Sequence, residues 1–136
     1  MSNTIPVARA QRQVTRSEAS AVAAALTPRF LALVSSVLGL GGPDFVREDS
    51  KIDYDAGIRT ERWRRGEVLV CLDATAIASG HGVHGERCEL TLASKPGDGR
   101  DVRVYADIDM RSGGTVHITV CGVLDAQALA DRFVAP

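Results

Sequence analysis

Residues 66–79 read GEVLVCLDATAIAS. Within this stretch, Val68 to Leu72 follow one another without a polar residue, and Gly66 and Gly80 bound it. A short apolar run that is rich in β-branched residues and bounded by turn residues is typical of a strand with apolar neighbours on both faces. We therefore predict that this segment is the central strand of a sheet.

Such a strand needs cover on both faces, whereas the strands expected downstream cover only one. Three arrangements satisfy this need. The sheet curls around the strand, or the strand breaks at Asp73 and residues 74–79 leave the sheet, or a partner surface completes the second face. The sequence leaves these alternatives open, and the third would make this stretch part of an interface.

The segment before this strand carries helical signals. Residues 15–18 read TRSE, a capping box in which the Thr15 hydroxyl accepts from the Glu18 amide and the Glu18 carboxylate returns to the Thr15 amide. Apolar residues then recur at helical spacing as far as Leu38. Because Pro28 interrupts this pattern, we predict either a helix pair or one kinked helix.

Beyond the central strand the apolar period becomes two, which predicts β-structure. The expected strands and their closing helix lie over residues 51–54, 58–63, 86–94, 101–110, 115–124 and, for the helix, 126–133. Strands grouped apart from helices indicate an α+β fold. We expect an N-terminal helix pair, or one kinked helix, packed on a curved antiparallel meander of five to six strands, with a short C-terminal helix.

Residues 1–14 show no periodicity. We predict a flexible N-terminal tail over residues 1–14 and a single α+β domain over residues 15–136. Within residues 1–14, Arg9 and Arg12 are the charged side chains, and both are basic. A basic arm or a targeting leader is therefore the alternative to a tail without a role.

The composition limits the classes of function that the chain can have. The chain has 136 residues, a net charge of −1 and three cysteines. It lacks the basic excess of a typical nucleic-acid-binding protein. An odd number of cysteines within apolar segments argues against a disulfide framework and favours a reducing compartment. No uninterrupted apolar run reaches the roughly 18 residues that cross a bilayer, so we expect a cytoplasmic protein with no membrane span.

One glycine-rich stretch contains groups that are capable of chemistry. Residues 80–88 read GHGVHGERC and include His81, His84 and Cys88, which are good ligands for transition metals. Their spacing matches no standard metal motif, so we expect a loop with exposed histidines, no metal and no cofactor. If the chain is an enzyme, His81 or His84 would act as a general acid or base together with Asp73.

A second cluster surrounds Trp63. Its basic members are Arg59, Arg62, Arg64 and Arg65. An aromatic residue flanked by arginines can bind phosphates and stack on bases, whereas charges on a hairpin edge can also serve to discourage aggregation. Because Glu61 and Glu67 dilute the positive charge, we favour a solvated edge and keep nucleic-acid binding as an alternative.

The third feature is the outward face of the strands between residues 86 and 124. Its polar side chains would form either a wet surface with cross-strand ion pairs or a docking surface centred on Tyr105, a residue type enriched at interfaces. The side chains that we expect to bind a partner are Tyr105, Arg103, Asp107, Arg87, His117 and Trp63.

These observations favour a small non-enzymatic domain that binds another protein, or itself as a homodimer, through its sheet face or its apolar helix. The order strand, Gly113-Gly114, strand, helix at the end of the chain resembles in outline domains of bacterial type III export and flagellar assembly proteins. That resemblance implies an adaptor, chaperone-like or assembly role. The alternatives are a small-molecule-binding protein or enzyme with its site near residues 80–88, and nucleic-acid binding through residues 59–65.

Overall fold

The computed structural model describes residues 7–41, 44–80, 82–93, 101–111 and 113–136. Over these residues the fold is α+β, with an N-terminal helix, a seven-stranded antiparallel meander-like sheet and a short C-terminal helix. The strands are β1 (Val7–Gln13), β2 (Val46–Asp53), β3 (Ile58–Arg65), β4 (Val68–Ser79), β5 (Gly82–Leu92), β6 (Arg103–Asp109) and β7 (Thr115–Cys121). The helices are α1 (Arg16–Val37) and α2 (Ala126–Phe133).

The strands follow a simple order across the sheet. From β2 to β7 each strand pairs with the next one in the chain, and all these pairs are antiparallel. The remaining strand, β1, pairs with β7 and forms the opposite edge from β2. The middle of the sheet is therefore β5, and β4, which we predicted to be central, is its neighbour.

Helix α1 is one continuous helix, as the second of the two predicted alternatives had it. The capping box at its start is formed: the Glu18 amide donates to Thr15 Oγ1 at 3.2 Å, and the Thr15 amide donates to Glu18 Oε1 at 3.0 Å. These hydrogen bonds lower the pKa of Glu18. Pro28 lies inside the helix on an exposed position, so its ring faces solvent, and Gly39 at φ +61° follows the helix end in the left-handed conformation.

The core lies between the helices and one face of the sheet, which we call the inner face. Helix α1 packs on β5 and β6, and α2 packs on β1 and β7. The buried side chains of the middle strands are Val70, Leu72, Ala74, Cys88, Leu90, Leu92, Val104, Ala106, Ile108, Val116, Ile118 and Val120. Helix α1 contributes Ala19, Val22, Leu26, Phe30, Leu33 and Val34. The alternation that the sequence showed in β5, β6 and β7 is thus the alternation of the two sheet faces.

The opposite face carries neither of the two described helices and is called the outer face. Because directly paired residues of an antiparallel sheet lie on the same face, the register defines this face across all the strands. In the middle of the sheet it consists of Cys71, Asp73, Thr75, Arg87, Glu89, Thr91, Arg103, Tyr105, Asp107, His117, Thr119 and Cys121.

By length and composition alone, α1 is apolar enough to cross a membrane, with a mean hydropathy of 1.5 over its most apolar window. In the fold, its apolar stripe lies on the sheet. A count of uninterrupted apolar runs does not reveal this property, because the apolar residues of α1 are mixed with serines and threonines. Of that window, 28% is buried inside the fold.

The structure corrects the prediction for the N-terminal segment, because residues 7–13 form the edge strand β1 and not a flexible tail. Ala8 and Val14 are buried, and the register pairs Arg9 with Thr119 and Gln11 with His117. A polar edge strand lacks the apolar alternation that reveals inner strands. Its partner lies about 110 residues further along the chain, beyond the range of any local pattern.

The apolar stretch that we predicted to be covered on both faces is covered on one. Strand β4 continues through Asp73 without leaving the sheet, so this described segment does not show the break at Asp73 that was one of the three alternatives. Val68, Val70 and Leu72 are buried on the inner face, whereas Leu69 and Cys71 are half-buried on the outer face.

Two turn regions also differ from their predictions. Residues 82–85, which we expected in a loop, lie instead in β5, which begins at Gly82. Leu124, expected in register with β7, lies beyond the strand and is 95% exposed. The sequence KPGDG at residues 95–99 predicts a turn from its proline and glycines, but these residues lie outside the described part of the chain.

Candidate functional site

Two of the residues that we named for an acid–base site, Asp73 and His84, lie far apart in the sheet. His84 is the extra residue of a β-bulge in β5, where Ile77 pairs with Gly85 and the next residue of β4 pairs with Val83. Asp73 pairs with Glu89, which lies five residues beyond His84 along β5. At the rise of a strand, five residues span roughly 16 Å. That distance prevents a direct proton transfer between Asp73 and His84. His81, the other candidate, lies outside the described residues.

Cys88, the remaining candidate metal ligand, belongs to the core. Its side chain is buried on the inner face, and Sγ donates to Glu86 Oε1 at 3.3 Å. Burial and the neighbouring Glu86 carboxylate raise the pKa of the thiol, whereas a metal ligand must be a thiolate. Among the described residues no three His, Cys, Asp or Glu side chains form a group that could hold a metal ion.

His84 does contact an acidic side chain at the end of β6. Its Nδ1 lies 3.8 Å from Asp109 Oδ1, beyond hydrogen-bond distance. Asp109 is held more closely by Arg111, whose Nη2 lies 2.7 Å from Oδ2 and whose backbone amide donates to Oδ1 at 3.0 Å. These hydrogen bonds from Arg111 lower the pKa of Asp109 to about 2.

We expect Asp109 to titrate near pH 2 in the folded chain and to titrate higher in Arg111→Ala. Because the folded-state pKa lies below the unfolded value, the stabilisation from Asp109 is complete above about pH 4 and fades as the pH falls towards 2. In Arg111→Ala the pKa should rise towards the ordinary value without reaching it, since the backbone amide still donates. Carboxyl-carbon NMR titration measures both values, and a wild-type midpoint near the ordinary aspartate pKa would contradict the expectation.

The four arginines of the predicted nucleic-acid patch lie on two faces. Arg59 and Arg65 pair with inner-face residues of β4, whereas Arg62 and Arg64 pair with outer-face residues. Local partners also engage members of this set. Arg59 Nη2 lies 3.5 Å from Glu86 Oε1, Arg64 Nε lies 3.1 Å from Glu48 Oε1, and Arg65 Nη1 donates to Ser35 Oγ at 3.2 Å. Alternation along one strand therefore prevents the four from forming one cationic surface.

Trp63 is separated from the other predicted binding residues. It pairs with Val70, so it lies on the inner face, where it is half-buried against the core. Its Nε1 donates to Glu61 Oε1 at 3.1 Å. Tyr105 lies on the outer face, on the opposite side of the sheet. The predicted set is therefore not one surface, and Trp63 has a packing role.

The rest of that set is gathered on the outer face, and its arginines are engaged in local ion pairs. Arg87 Nε lies 2.8 Å from Asp107 Oδ1. Arg103 Nε donates to Asp101 Oδ1 at 2.8 Å and Nη1 lies 3.4 Å from the Tyr105 hydroxyl, and these contacts raise the pKa of Arg103. This arrangement is the wet face with ion pairs that the sequence offered as one alternative. A partner that docks here must compete with the existing pairs or desolvate them.

His117 lies on the same face between two strands. It pairs with Asp107 of β6 on one side and with Gln11 of β1 on the other. It therefore belongs to a row of polar side chains that continues to Arg87. The row crosses four strands of the outer face.

A groove that the sequence did not indicate lies between the two helices. Its volume is about 680 Å³. It is lined by Arg29, Ala32, Leu33, Ser36, Val37, Gly122, Val123, Leu124, Asp125, Leu129, Arg132 and Phe133. We call this site the α1–α2 groove. Most of its lining side chains are apolar, and they come from two segments that are about 90 residues apart in sequence.

Arg29 joins the two helical walls of the α1–α2 groove. Its Nη1 donates to three carbonyl oxygens at the end of α2, those of Arg132 at 3.0 Å, Phe133 at 3.4 Å and Ala135 at 2.6 Å. The last carbonyls of a helix lack intrahelical donors and carry partial negative charge, so a guanidinium is a fitting cap. Helix α2 is thereby held against α1.

The rim of the groove carries an exposed apolar residue and two charges. Leu124 is 95% exposed beside the groove. Asp125 is the N-cap residue of α2, yet its side chain makes no capping hydrogen bond. Arg132, two turns further along, is exposed. The sequence pattern placed Leu124 in the strand predicted over residues 115–124, which is why the rim was missed.

No family model matches this chain, and comparisons with curated proteins and with solved structures gave no match either. The likeness in outline to type III export and flagellar assembly domains stays a prediction. The function is therefore inferred from the geometry of the two surfaces, the ion-paired outer face and the α1–α2 groove.

Proposed function

We propose that this chain is a non-enzymatic protein-binding domain and that the α1–α2 groove is its binding surface. The observation that carries the proposal is the exposure of Leu124, 95%, at the rim of a groove with an apolar lining. An exposed leucine by itself is ordinary, but an exposed leucine continuous with an apolar groove is typical of an interaction site. The partner is another protein or a second copy of the chain.

The energetics favour the groove over the outer face. Burying a leucine side chain that was exposed contributes about 1.5–3 kcal/mol, and it requires no ion pair to be broken. The outer face offers Arg87 and Asp107, which already satisfy each other, and surface ion pairs contribute little to binding when they are only exchanged. The binding residues therefore shift from the sheet face, where we first expected them, to the helices.

The cysteines fit a reducing compartment, and we propose a cytoplasmic location. Cys71, Cys88 and Cys121 are free thiols. Burial raises the pKa of Cys71 and of Cys121, which lowers the reactivity of both. A chain with three protonated thiols within its strands has no need of an oxidising environment to fold.

A second candidate is a small-molecule-binding protein that uses the same groove. The groove volume of about 680 Å³ falls within the range of ligand pockets, roughly 300–1,000 Å³. Arg132, which lines the groove and is exposed, would suit a ligand with an apolar body and an anionic group. The groove is proposed here as the ligand site in preference to residues 80–88, because Asp73 and His84 lie far apart in the sheet and Cys88 is buried in the core.

Site-specific photo-crosslinking tests the proposal. A photoreactive amino acid at position 124 should yield an adduct with a protein identified by mass spectrometry, whereas the same amino acid at Thr119 on the outer face should yield none. Ala32 lines the groove and is exposed, so Ala32→Arg should block the groove without disturbing the core and should abolish the adduct.

Three outcomes would count against the groove as a protein-binding surface. Adducts formed only from position 119 would move the site to the outer face. Adducts from position 124 that persist in Ala32→Arg would show contact without use of the groove. A small molecule that co-purifies with the chain in native mass spectrometry and is lost in Ala32→Arg would favour the second candidate.

A further inference from the structure

One face of α2 is self-complementary in charge. Asp125, Leu129 and Arg132 recur at helical spacing and line the α1–α2 groove together. The carboxylate of Asp125 makes no capping hydrogen bond, and Arg132 is exposed. The helix therefore presents an acidic end, an apolar middle and a basic end along a single stripe.

Such a stripe fits an antiparallel copy of itself. When two copies of α2 pack antiparallel about a two-fold axis, residues equally far from the axis on either side of it lie opposite each other. An axis that passes between residues 128 and 129 places Asp125 opposite Arg132 of the partner subunit, and the reciprocal pair follows by symmetry. Leu129 then lies next to the axis, where its counterpart covers it.

The same axis provides an occupant for the groove. It places Leu124 opposite Phe133 of the partner subunit, and Phe133 lines the α1–α2 groove. The exposed leucine of each copy thus enters the groove of the other. We propose that the partner of the α1–α2 groove is a second copy of this chain, in a two-fold dimer held by two Asp125–Arg132 pairs and two buried Leu124 side chains.

The other charged groups near this surface are already engaged. Arg29 is bound to the carbonyls at the end of α2. Asp131 accepts a hydrogen bond from Gln127 Nε2 at 3.1 Å, and the same nitrogen lies 3.2 Å from the carbonyl oxygen of Arg9 in β1. Asp125 and Arg132 are therefore the pair with which a second copy can exchange charges.

Charge reversal on the full-length chain tests the dimer. Sedimentation measurements over a concentration series should show a monomer–dimer equilibrium for the natural chain. Asp125→Arg and Arg132→Asp should each raise the dissociation constant at least about tenfold, because each places two like charges opposite each other. The variant with both reversals should recover the dimer.

Mixing the two single variants gives the sharpest result. Asp125→Arg has two basic positions and Arg132→Asp has two acidic ones, so the proposed axis makes both contacts attractive in the mixed pair and repulsive in each self-pair. A heterodimer should therefore form from two poorly associating proteins. Lys51→Asp, a reversal at an exposed position of β2, is the control and should leave the dimer unchanged. Circular dichroism confirms that every variant is folded.

This inference rests on the proposed function, and the two can fail separately. A natural chain that stays monomeric at all concentrations, or a dimer insensitive to both reversals, overturns the homodimer. If the crosslink from position 124 then joins a different protein and is lost in Ala32→Arg, the groove remains the binding surface with another occupant. Recovery of the dimer by the variant with both reversals supports both the homodimer and the groove as its binding surface.

Discussion

Phe30→Ala is expected to lower the free energy of unfolding by about 3–5 kcal/mol. Phe30 is fully buried, with an exposed fraction of 0%, in the cluster that joins α1 to the sheet. Truncation removes the apolar ring and leaves a cavity that surrounding β-branched side chains are poorly able to fill, because their rotamers are restricted. A loss of this size is a large part of the stability of a typical domain.

Urea denaturation followed by circular dichroism measures this loss. The matched control is Tyr54→Ala, an aromatic truncation at a turn position with 86% exposure, and it should change stability by less than about 0.5 kcal/mol. Phe30→Leu should lie between the two. Equal losses in Phe30→Ala and Tyr54→Ala would show that α1 does not pack on the sheet as described.

Gly122→Ala is expected to cost about 3 kcal/mol or more, for two separate reasons. Gly122 follows β7 with φ +84°, a conformation that is strained for any residue with a Cβ atom. An added Cβ would also overlap the backbone carbonyl of Asp101, which belongs to the segment that leads into β6 and has little freedom to shift. Gly122 further lines the α1–α2 groove, so the backbone displaced by the substitution would alter its shape.

A series of glycine substitutions separates the two reasons. At Gly41 neither condition holds, since a Cβ atom there would meet nothing within 4 Å and its φ is not positive, so Gly41→Ala should be nearly neutral. Gly66 has φ +60° in open space, and Gly66→Ala should cost about 1 kcal/mol from the backbone alone. The difference between Gly66→Ala and Gly122→Ala then measures the steric overlap. Similar urea midpoints for these two variants would contradict the close approach of Gly122 to Asp101.

The change of candidate site from the outer face to the groove has a simple electrostatic cause. Sequence alternation places Arg87, Arg103 and Asp107 on one face but does not say whether they are free. In the fold, neighbouring strands set Arg87 beside Asp107 and bring Arg103 to Asp101, so the charges are compensated within the sheet. A partner gains little free energy by contacting polar side chains that are already paired with one another. A partner that covers the exposed Leu124 side chain removes apolar surface from water, which is favourable.

The dispersal of the histidine-loop candidates has a geometric cause. His84, Cys88 and Asp73 are close in sequence, but an extended chain advances about 3.3 Å for each residue and turns every second side chain to the opposite face. Cys88 consequently enters the core, while Asp73 lies on the outer face five residues from the level of His84. Residues that are near one another in the sequence of one strand are therefore poor candidates for a shared site. Residues that are near one another in a loop, or on neighbouring strands, are better candidates.

The sequence by itself determined those features that depend on neighbours within one element. The capping box at Thr15 and the faces of β5, β6 and β7 follow from local hydrogen bonding and from the period of the apolar residues, and all of them are present. The α+β class follows from the order of those elements. Local periodicity suffices here because burial on one side forces the pattern on each element separately.

Only the tertiary structure decided what depends on residues that are far apart in the chain. Strand β1 exists because β7 supplies its hydrogen bonds, since its own polar sequence provides no apolar stripe. The α1–α2 groove lies where α1 and α2 meet, and Arg29 of α1 donates there to carbonyl oxygens more than 100 residues further along the chain. Neither contact produces a periodic pattern in the sequence, because each joins two segments that are far apart in the chain. The surface that we propose for binding is formed by such a contact.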